Sequence, residues 1–355
     1  MRVLIWQWGR RGAGPRVAVE LARSFAQVSG TETLLSLAAG AELLRSADPP
    51  VCDLAFRTYR NVPGFVRRML TAPVLVPRLA TWMRQQRVDV AVCAMPAALD
   101  LVMAAALRQA GLPFAVVVHD ADLHPGDAFP LQMPLQRRLL RQADGLFALS
   151  THVADGLRRQ GVAGPLFLAS LPPFGFGPVP PPPRAHGGPL RLLSFGRLLP
   201  YKGLDLLADS LRQLGPRPDL QVRVVGNGPE TRVLAVLRAM PGVTVENRWV
   251  PEDEVGALLA WSDALVLSHR EASQSGVAAA AVAARRWLVA TRVGGLVEQL
   301  RDEPLALLCE PDARSIAAGL RRLLEGGLVG GMNDPLAEWG RVAEQMVGDV
   351  RSLMR

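Results

Sequence analysis

The chain has 355 residues, of which 49% are hydrophobic, and this length and composition predict a globular protein of two domains rather than a disordered chain. Its formal net charge of +8 favours an anionic partner, such as a phosphorylated substrate, a phospholipid surface or a nucleic acid. The three cysteines lack metal-ligand spacing and argue against a disulfide framework. The chain enters a strand at residue 2, which argues against a secretory signal, and it has no apolar run of about 18 residues, which argues against a membrane-spanning helix. We therefore expect a cytoplasmic protein.

The first domain is predicted to begin as a doubly wound α/β unit. Residues 2–8 form an apolar strand, a loop with Gly9, Gly12 and Gly14 follows, and an amphipathic helix comes next. Strand, glycine-rich loop and helix in this order open many such domains. The glycine spacing does not fit the G-x-G-x-x-G dinucleotide fingerprint, and the next strand (32–37) ends without a suitable acid. We therefore do not expect an NAD-type oxidoreductase.

A basic and partly apolar tract covers residues 57–87. It contains seven arginines and no Asp, Glu or Lys, with aromatic and aliphatic residues between the arginines. Pro63, Pro73 and Pro77 are predicted to divide it into short helical pieces. Basic residues beside apolar ones are typical of segments that lie on an anionic bilayer, and the alternative is a solvated helix with its apolar side on the core. The tract lacks a recognisable nucleic-acid-binding motif, so no nucleic acid partner is expected.

Strands and helices continue to alternate to the end of the first domain. The apolar strand 113–118 leads into a polar segment, HDADLHPGD, which begins at His119. Ligands of open α/β sheets bind beyond the carboxyl ends of the strands, so this position favours a functional role for His119. His124 and Asp127 in the same segment are further candidates.

The stretch PPFGFGPVPPPPRAHGGP, residues 172–189, is the predicted linker between two domains. Its four consecutive prolines favour a stiff, extended polyproline II conformation. We therefore expect an N-terminal domain at 1–171 and a C-terminal domain at 190–333, where the alternation of strands and helices repeats. The last helix, about 334–355, is expected to cross back to the first domain.

The first loop of the second domain carries two cations near a helix entrance. Arg197 and Lys202 lie in FGRLLPYKG, and Lys202 is the only lysine in a chain with 39 arginines. Two fixed cations at this place would bind a diphosphate and neutralise it as it leaves, whereas the alternative is two surface cations. In the next strand-to-helix turn, Gly226 and Asn227 fit a plain turn as well as a ligand contact. Val250, just before an acidic helix start, is expected to present backbone groups to a nucleobase.

A polar loop, EASQSG, precedes an alanine-rich helix in the same domain. It contains Glu271, Ser273 and Gln274, and the helix start that follows leaves backbone N–H groups for an anion. Further along, Gly294-Gly295 lets the backbone approach a ligand closely. A carboxylate, a hydroxyl-rich helix start and a double glycine at one edge of a parallel sheet predict the donor pocket of a nucleotide-sugar glycosyltransferase.

The second domain resembles family 4 glycosyltransferases of the GT-B fold over roughly residues 190–325. The stretches that carry the resemblance, in order, are FGRLLPYKGLDLL (195–207), VVGNGPE (224–230), WSDALVLSHREASQSGV (261–277) and VATRVGGLVE (289–298). The first domain matches more loosely. The resemblance implies an α/β protein of two Rossmann-like domains that face each other across a cleft. It also implies a nucleotide-sugar donor on the second domain, an acceptor on the first, and retention of anomeric configuration without a metal or other cofactor; UDP and GDP both remain open.

The resemblance also implies roles for single residues. Arg197 and Lys202 resemble a diphosphate clamp, Glu271 resembles the first glutamate of a Glu-x7-Glu motif that contacts the donor sugar, and His119 resembles a histidine that approaches the transferring sugar. The expected catalytic residues are His119, Glu271, Arg197 and Lys202. The amides of Ser275, Gly276 and Val277 are expected to contact the phosphates. With the loops above, the expected donor-binding residues are Gly12, Gly14, Arg197, Lys202, Gly226, Asn227, Val250, Glu271, Ser273, Gln274, Ser275, Gly276, Val277 and Glu298.

The chain departs from the family pattern at Ala279, where the second glutamate of the motif would stand. That glutamate usually contacts the nucleotide ribose, so Glu298 or a backbone group is expected to substitute. We interpret the chain as a retaining, metal-independent hexosyltransferase that acts on a lipid-linked or polysaccharide-precursor acceptor at the inner membrane surface. Two alternatives stay open: a sugar-nucleotide epimerase or hydrolase on the same fold, and a non-catalytic, membrane-associated binding protein, which Ala279 favours.

Overall fold

The computed structural model describes residues 1–122, 132–329 and 335–354. Its internal contacts divide these residues into two compact units, each built on its own parallel sheet. The first unit contains residues 1–122, 132–170 and 336–354, and the second begins at residue 171.

The sheet of the first unit has seven parallel strands among the described residues. They are β1 (Arg2–Gln7), β2 (Glu32–Ala38), β3 (Leu54–Phe56), β4 (Val90–Cys93), β5 (Phe114–Val118), β6 (Gly145–Ala148) and β7 (Leu166–Leu168), in the spatial order β3-β2-β1-β4-β5-β6-β7. β1, β4 and β5 are buried along almost their whole length, as expected for a parallel sheet with helices on both faces. The strand order reverses direction between β1 and β4, and ligands of such sheets bind at this kind of switch point.

The helices of the first unit follow the predicted alternation. They are α1 (Ala13–Gln27), α2 (Val62–Leu70), α3 (Ala72–Gln85), α4 (Asp100–Ala110), α5 (Gln132–Leu140) and α6 (Thr151–Arg159), with a short 3-10 turn at Glu42–Arg45. Pro63 and Pro73 lie in the first turns of α2 and α3, where the missing N–H is not needed. The prediction that Pro77 breaks the tract is wrong, because Pro77 lies inside α3, which continues past it.

The second unit repeats this architecture with a sheet of six parallel strands in the described part of the chain. The strands are β8 (Leu190–Phe195), β9 (Leu220–Gly226), β10 (Val243–Asn247), β11 (Ala264–Leu267), β12 (Trp287–Thr291) and β13 (Ala306–Cys309), ordered β10-β9-β8-β11-β12-β13. The helices are α7 (Leu204–Leu214), α8 (Arg232–Arg238), α9 (Glu252–Trp261), α10 (Gly276–Ala283), α11 (Leu296–Leu300) and α12 (Ala313–Glu325). Here the order reverses between β8 and β11, so the loops that follow these two strands meet at the switch point.

The last helix, α13 (Pro335–Ser352), belongs to the first unit. The guanidinium of Arg351 donates to the carbonyl of Ser29 at 2.9 Å, and the amide of Gln345 donates to the carbonyl of Leu168 at 2.7 Å. Its apolar side, which includes Trp339 and Val350, is buried. The predicted return of the C-terminal helix to the first unit is therefore confirmed.

The proline-rich stretch 172–189 has neither helix nor strand, and its second half is hydrogen-bonded to the second unit. The buried guanidinium of Arg286 donates to the carbonyls of Ser262, at 2.9 Å, and of Pro181. The buried carboxylate of Asp263 contacts the backbone N–H of Arg184 and, at 3.0 Å, the ring of His186. Two buried charged groups thus hold the stretch along the second unit.

Asp100, the first residue of α4, carries a fully buried carboxyl group. Its Oδ2 accepts from the backbone N–H of Ala97 at 2.6 Å and from the thiol of Cys93 at 3.3 Å. Its Oδ1 and the indole nitrogen of Trp6 are both buried without a hydrogen bond of good geometry among the described residues, although the indole N–H is close enough to lower the pKa of the carboxyl group. Burial raises the pKa of Asp100 to about 7, because the ionised form is poorly solvated there, although the Ala97 amide opposes the shift.

We predict that Asp100 makes the protein less stable as the pH rises. The unfolded chain loses this proton near the ordinary pKa of 3.8, whereas the folded protein keeps it up to about pH 7, so the destabilisation develops between these values and is complete above the higher one. Relative to Asp100→Asn, the parent should lose about 3 kcal/mol of unfolding free energy between pH 5 and pH 8. Urea unfolding at four pH values measures this difference.

The exposed Asp48 supplies the matched control, since Asp48→Asn should follow the parent at every pH. A constant difference between the parent and Asp100→Asn across the pH range would contradict the prediction.

Candidate functional site

The loop after β8 lies against the first turn of α10. Gly196 has a φ of 121°, and a Cβ atom at this residue would lie 3.6 Å from Cγ2 of Val277 and 3.9 Å from Nζ of Lys202. The ammonium of Lys202 and the N-terminus of α10 therefore border the same space, which the missing side chain of Gly196 leaves open. A cation beside a helix N-terminus is a favourable site for an anion.

Lys202 ends a 3-10 turn, Pro200–Lys202, and its Nζ lies 2.8 Å from Nε2 of His269. The ring of His269 is buried at the end of β11. An ammonium group has no acceptor, so Nε2 of His269 accepts this hydrogen bond and the ring proton is on Nδ1. The imidazole thus orients the ammonium and adds no negative charge of its own.

Two predicted cations share one aromatic ring. Nζ of Lys202 lies 5.2 Å from the centroid of the Tyr201 ring, and Cζ of Arg197 lies 5.7 Å from it. Tyr201 is buried. The structure therefore brings Arg197 and Lys202 together, and their role as a diphosphate clamp stays a prediction.

Backbone contacts fix the loops after β8 and β11 to each other. The backbone N–H of Arg270 donates to the carbonyl of Tyr201 at 2.8 Å, and the hydroxyl of Ser268 donates to the carbonyl of Lys202 at 2.9 Å. A Cβ atom on Gly203, whose φ is 63°, would lie 1.9 Å from the carbonyl oxygen of Ser268. A side chain at that position would separate the two loops.

The polar loop between β11 and α10 is mostly buried, although Glu271 at its start is exposed. The Ser275 hydroxyl caps α10 by accepting from the backbone N–H of Ala278 at 3.2 Å. The side chain of Gln299 accepts from the backbone N–H of Ser275 at 2.9 Å and donates to its carbonyl at 3.0 Å. The Ser275 amide, predicted to contact a phosphate, is therefore already engaged. Gly276 and Val277 begin the helix, where backbone N–H groups have no partner four residues earlier.

Gln274 carries a buried amide with no hydrogen bond within the described residues. Both its Oε1 and its Nε2 are buried, and the side chain as a whole is 6% exposed. Such groups are rare in folded proteins, and each one costs about 1–3 kcal/mol. Ser273, next to it, is also buried. The polar loop thus holds unused hydrogen-bonding capacity beside the first turn of α10.

The remaining predicted residues of the second unit lie around this loop in different roles. A Cβ atom on Gly226 would lie 1.6 Å from the carbonyl oxygen of Gly196, so this glycine permits close backbone packing. The carbonyl of Asn227 accepts from the backbone N–H of Leu198 at 2.9 Å. These contacts account for both residues as parts of a turn. The side chain of Val250 is buried in an apolar cluster, which leaves its backbone as the group that a base could contact.

The double glycine lies against the polar loop. The backbone N–H of Gly295 donates to the carbonyl of Ala272 at 2.9 Å, and Gly294 has a φ of 46°. Glu298 lies in the first turn of α11, directly after this turn. Ala279 is buried within α10, so the position of the family's second glutamate contributes a methyl group and no charge.

In the first unit, His119 follows β5 and is fixed by its neighbour. Nδ1 of His119 lies 2.9 Å from the carboxylate of Asp120, which can only accept, so Nδ1 donates in this contact. The side chain of Gln136 donates to the carbonyl of Asp120 at 2.8 Å, and that of Gln160 donates to Asp122 at 2.8 Å. The candidates His124 and Asp127 lie outside the described residues.

The glycine loop after β1 is shaped by a buried glutamine. Cβ atoms on Gly9 and Gly14 would lie 2.6 and 2.7 Å from Nε2 of Gln7, so a side chain at either position would displace the end of this glutamine. Gly12 precedes α1 with a φ of 81°, and nothing lies within 4 Å of its missing side chain. Of the predicted pair, Gly12 therefore borders open space, whereas Gly14 packs on Gln7.

Two features are absent from the described ranges. No three His, Cys, Asp or Glu side chains there lie close enough to hold a metal ion. No helix among those residues has the length and apolar character needed to cross a bilayer.

Comparison with known families assigns nearly the whole chain. Residues 8–168 match the model of the "Glycosyl transferase 4-like domain", and residues 189–326 match that of "Glycosyl transferases group 1". Among curated proteins, the putative colanic acid biosynthesis glycosyltransferase WcaL of Escherichia coli is 27% identical over 234 residues, or 62% of this chain and 58% of that protein. One subunit of the human phosphatidylinositol N-acetylglucosaminyltransferase is 31% identical over 160 residues, or 41% of this chain and 31% of that protein. The chain thus matches less than two thirds of the length of either relative.

Solved structures show the fold. HepE of Anabaena, in complex with UDP and glucose, has a TM-score of 0.68 at 15% identity, with 100% of this chain and 97% of that chain covered. Sucrose-phosphate synthase of Thermosynechococcus elongatus has a TM-score of 0.64 at 16% identity, with 99% and 96% covered. Two Rossmann-like sheets, these GT-B neighbours and two family models that together span most of the sequence agree: the chain belongs to the group 1, family 4-type glycosyltransferases.

Proposed function

We propose that this chain is a retaining glycosyltransferase that moves a hexosyl group from a nucleoside-diphosphate sugar to a lipid-linked or polysaccharide-precursor acceptor, without a metal. The observation that carries the proposal is the space beside Gly196. It is bordered by the ammonium of Lys202 and by Val277 in the first turn of α10, and Arg197 shares the Tyr201 ring with Lys202. Retention, hexosyl specificity and metal independence are inferred from the family resemblance.

The donor diphosphate is proposed to occupy this space. Two cations and the amides of Gly276 and Val277 would bind its oxygens, and each charged hydrogen bond contributes about 1.5–3 kcal/mol. As the bond from the anomeric carbon to the phosphate oxygen breaks, its electron pair stays with the leaving nucleotide. The same groups then face a growing negative charge, and fixed donors of this kind stabilise the transition state more than the ground state.

Glu271 is proposed to hold the transferring sugar. Its carboxylate is exposed at the start of the polar loop, where it can accept hydrogen bonds from sugar hydroxyls. The acceptor hydroxyl forms the new bond to the anomeric carbon, and its proton goes to an oxygen of the departing diphosphate. Gln274 and Ser273 lie near Glu271 in the loop, and hydrogen bonds with a bound nucleotide sugar would satisfy the buried Gln274 amide.

The nucleoside half of the donor has weaker candidates. With Ala279 in place of an acid, Glu298 at the start of α11 is the proposed ribose contact, and the backbone at Val250 is the proposed base contact. HepE was solved in complex with UDP and glucose, so UDP-glucose is the first donor to test. The roles of Gly12 and His119 stay predictions from the resemblance.

The acceptor proposal follows the relatives. WcaL is named for colanic acid biosynthesis, and the human relative is named as a phosphatidylinositol N-acetylglucosaminyltransferase subunit. The second name contains a lipid, phosphatidylinositol, and the first refers to the biosynthesis of colanic acid. We therefore propose a lipid-linked or polysaccharide-precursor acceptor for this chain.

Two alternative functions must be distinguished from sugar transfer by experiment. The UDP complex of S. aureus MnaA and a putative UDP-N-acetylglucosamine 2-epimerase of Listeria monocytogenes share this fold, with TM-scores of 0.58 and 0.61. An epimerase or hydrolase would consume the donor without an acceptor. A non-catalytic protein, for which Ala279 is the argument, would bind nucleotide without any turnover.

The first test is a thermal-shift panel with UDP, GDP, ADP, CMP, their common sugar conjugates and NAD. A ligand at 100 times its dissociation constant stabilises the fold by about 2.7 kcal/mol, so a true donor raises the melting temperature clearly. We expect one nucleoside diphosphate and its sugar conjugate to do so in the parent and not in Lys202→Ala. A panel in which nothing shifts, or in which NAD alone shifts, would refute the donor site.

The catalytic assignment is tested by Lys202→Ala and Glu271→Gln. Each variant should lower the rate of acceptor-dependent transfer at least about 100-fold, which is the scale for one lost charge-stabilising group. Product formation is measured by mass spectrometry with the donor that the panel identifies. Lys202→Ala should act mainly on leaving-group departure, so its defect should shrink with a donor that has a better leaving group.

Near-parental rates in folded Lys202→Ala and Glu271→Gln would refute the assignment. The exposed arginines of α12 give a charge-matched control, because Arg322→Gln should leave the rate within about twofold. Donor loss at the same rate with and without acceptor would support the epimerase or hydrolase.

His269 is predicted to act through Lys202. His269→Leu removes the acceptor at 2.8 Å from Nζ, so affinity for the diphosphate should fall about 10-fold. His269→Gln keeps an acceptor and should recover most of that affinity. Calorimetry with UDP and with uridine separates the effects, since uridine lacks the phosphates and its binding should not change. Equal losses in the two variants, or equal losses for the two ligands, would indicate a packing role instead.

A further inference from the structure

The helices of the basic tract are apolar on two sides. On the inner side, Phe65, Leu79 and Met83 are buried in the core of the first unit. On the outer side, Val62, Val66, Leu70 and Val74 are 60%, 49%, 76% and 51% exposed. A surface helix of a globular protein normally has one apolar side, which faces the core. The core therefore does not account for the outer set.

The four outer residues follow one another at intervals of four. In a helix, residues four apart lie on the same face, so Val62, Val66 and Leu70 form one line along α2, about 12 Å long. Val74 continues the series in the first turn of α3. We name these four residues the outer stripe. They make up four of the nine exposed large hydrophobic residues in the described part of the chain, so exposed apolar surface is concentrated here.

Exposed arginines surround the outer stripe. Arg57, Arg60, Arg67 and Arg78 are all exposed, and residues 57–87 contain no acid that could neutralise them. Arg68 differs, because its guanidinium lies 5.9 Å from the Phe56 ring centroid and its Nε donates to the carbonyl of Thr58 at 3.3 Å. Arg68, which the sequence alone groups with the others, thus belongs to the fold rather than to the surface.

We propose that the outer stripe and its exposed arginines dock on an anionic phospholipid bilayer. The aliphatic side chains enter the boundary between headgroups and acyl chains, and the guanidinium groups contact lipid phosphates. An apolar line flanked by positive charge with no negative charge matches the chemistry of such a surface, which offers hydrocarbon beneath anionic oxygens. A protein partner would have to supply the same combination of apolar area and acidic residues. The proposal is independent of sugar transfer and would place an acceptor-using enzyme at a lipid surface.

The test is co-sedimentation of the full chain with vesicles of phosphatidylcholine that contain about 30% phosphatidylglycerol, and with vesicles of phosphatidylcholine alone. The double variant Val66→Ser/Leu70→Ser removes apolar area and keeps the charge. The double variant Arg67→Gln/Arg78→Gln removes two charges and keeps the apolar area. Matched controls are Val51→Ser/Val179→Ser, at exposed valines elsewhere, and Arg314→Gln/Arg322→Gln, on the exposed side of α12.

The parent should bind the anionic vesicles and bind the neutral ones far more weakly. The arginine variant should lower the partition coefficient about 30-fold at about 0.1 M salt, and about 0.5 M salt should lower the parent's binding similarly. The valine and leucine variant should lower it at least about 10-fold, with less dependence on salt. Both controls should stay within about twofold of the parent, and all variants should keep the parental melting temperature, because the changed side chains are exposed.

Three results would overturn the proposal. The parent could fail to bind anionic vesicles, or the valine and leucine variant could bind as its control does, which would leave simple charge attraction. Sedimentation velocity could instead show a parental dimer that the valine and leucine variant converts to a monomer, with vesicle binding unchanged, which would assign the outer stripe to contacts between copies of the chain.

Discussion

The candidate site depends on close packing between the main-chain atoms of the loops that follow β8, β9 and β11. A Cβ atom on Gly226 would lie 1.6 Å from the carbonyl oxygen of Gly196, and one on Gly203 would lie 1.9 Å from that of Ser268. No side chain fits in either place without moving a loop. The position of Lys202 beside α10 follows from these contacts, since Lys202 stands directly before Gly203. These glycines thus allow the loops to pack closely, and this packing places Lys202 beside α10.

The contact between Lys202 and His269 orients a charged group without opposing its charge. Arg270 forms an ion pair with Asp205, and Arg223 forms one with Glu246. At its contact with His269, the ammonium of Lys202 meets a ring that carries no negative charge. A carboxylate at the same place would orient the ammonium equally well and would also cancel its charge. An imidazole orients without cancelling, which suits a group whose partner is an anionic ligand.

Much of the fold could be predicted because the chain alternates apolar strands with amphipathic helices, and parallel sheets bury whole strands. The three-residue strands β3 and β7 were not predicted, since so short an apolar stretch has no period to recognise. Pro77 was read as a break because local rules count the lost hydrogen bond, whereas the packing of α3 on the core outweighs it.

For the candidate site too, local sequence indicates some residues, whereas others are recognised only from contacts in the folded protein. Arg197, Lys202 and Glu271 can be singled out from the sequence because each follows a strand in a recognisable loop, and their roles stay predictions. His269 was not singled out, although it stands at the end of β11, because its contact joins residues 67 positions apart and exists only once the sheet has formed. The Ser275 amide was assigned to a phosphate because nothing local indicates Gln299, which engages it from α11. Contacts across the sheet edge are therefore the part that the sequence alone could not supply.

The structure weakens the argument from Ala279 that the chain is not catalytic. It is buried in α10 among Ala278, Ala280 and Ala281, so a small residue there belongs to the close packing of this helix. The contact it replaces would hold the ribose, which is remote from the bond that breaks. A contact made equally in the ground state and in the transition state lowers KM without raising kcat. Losing it should weaken donor binding, while the groups that face the developing charge, Lys202, Arg197 and the first turn of α10, remain in place.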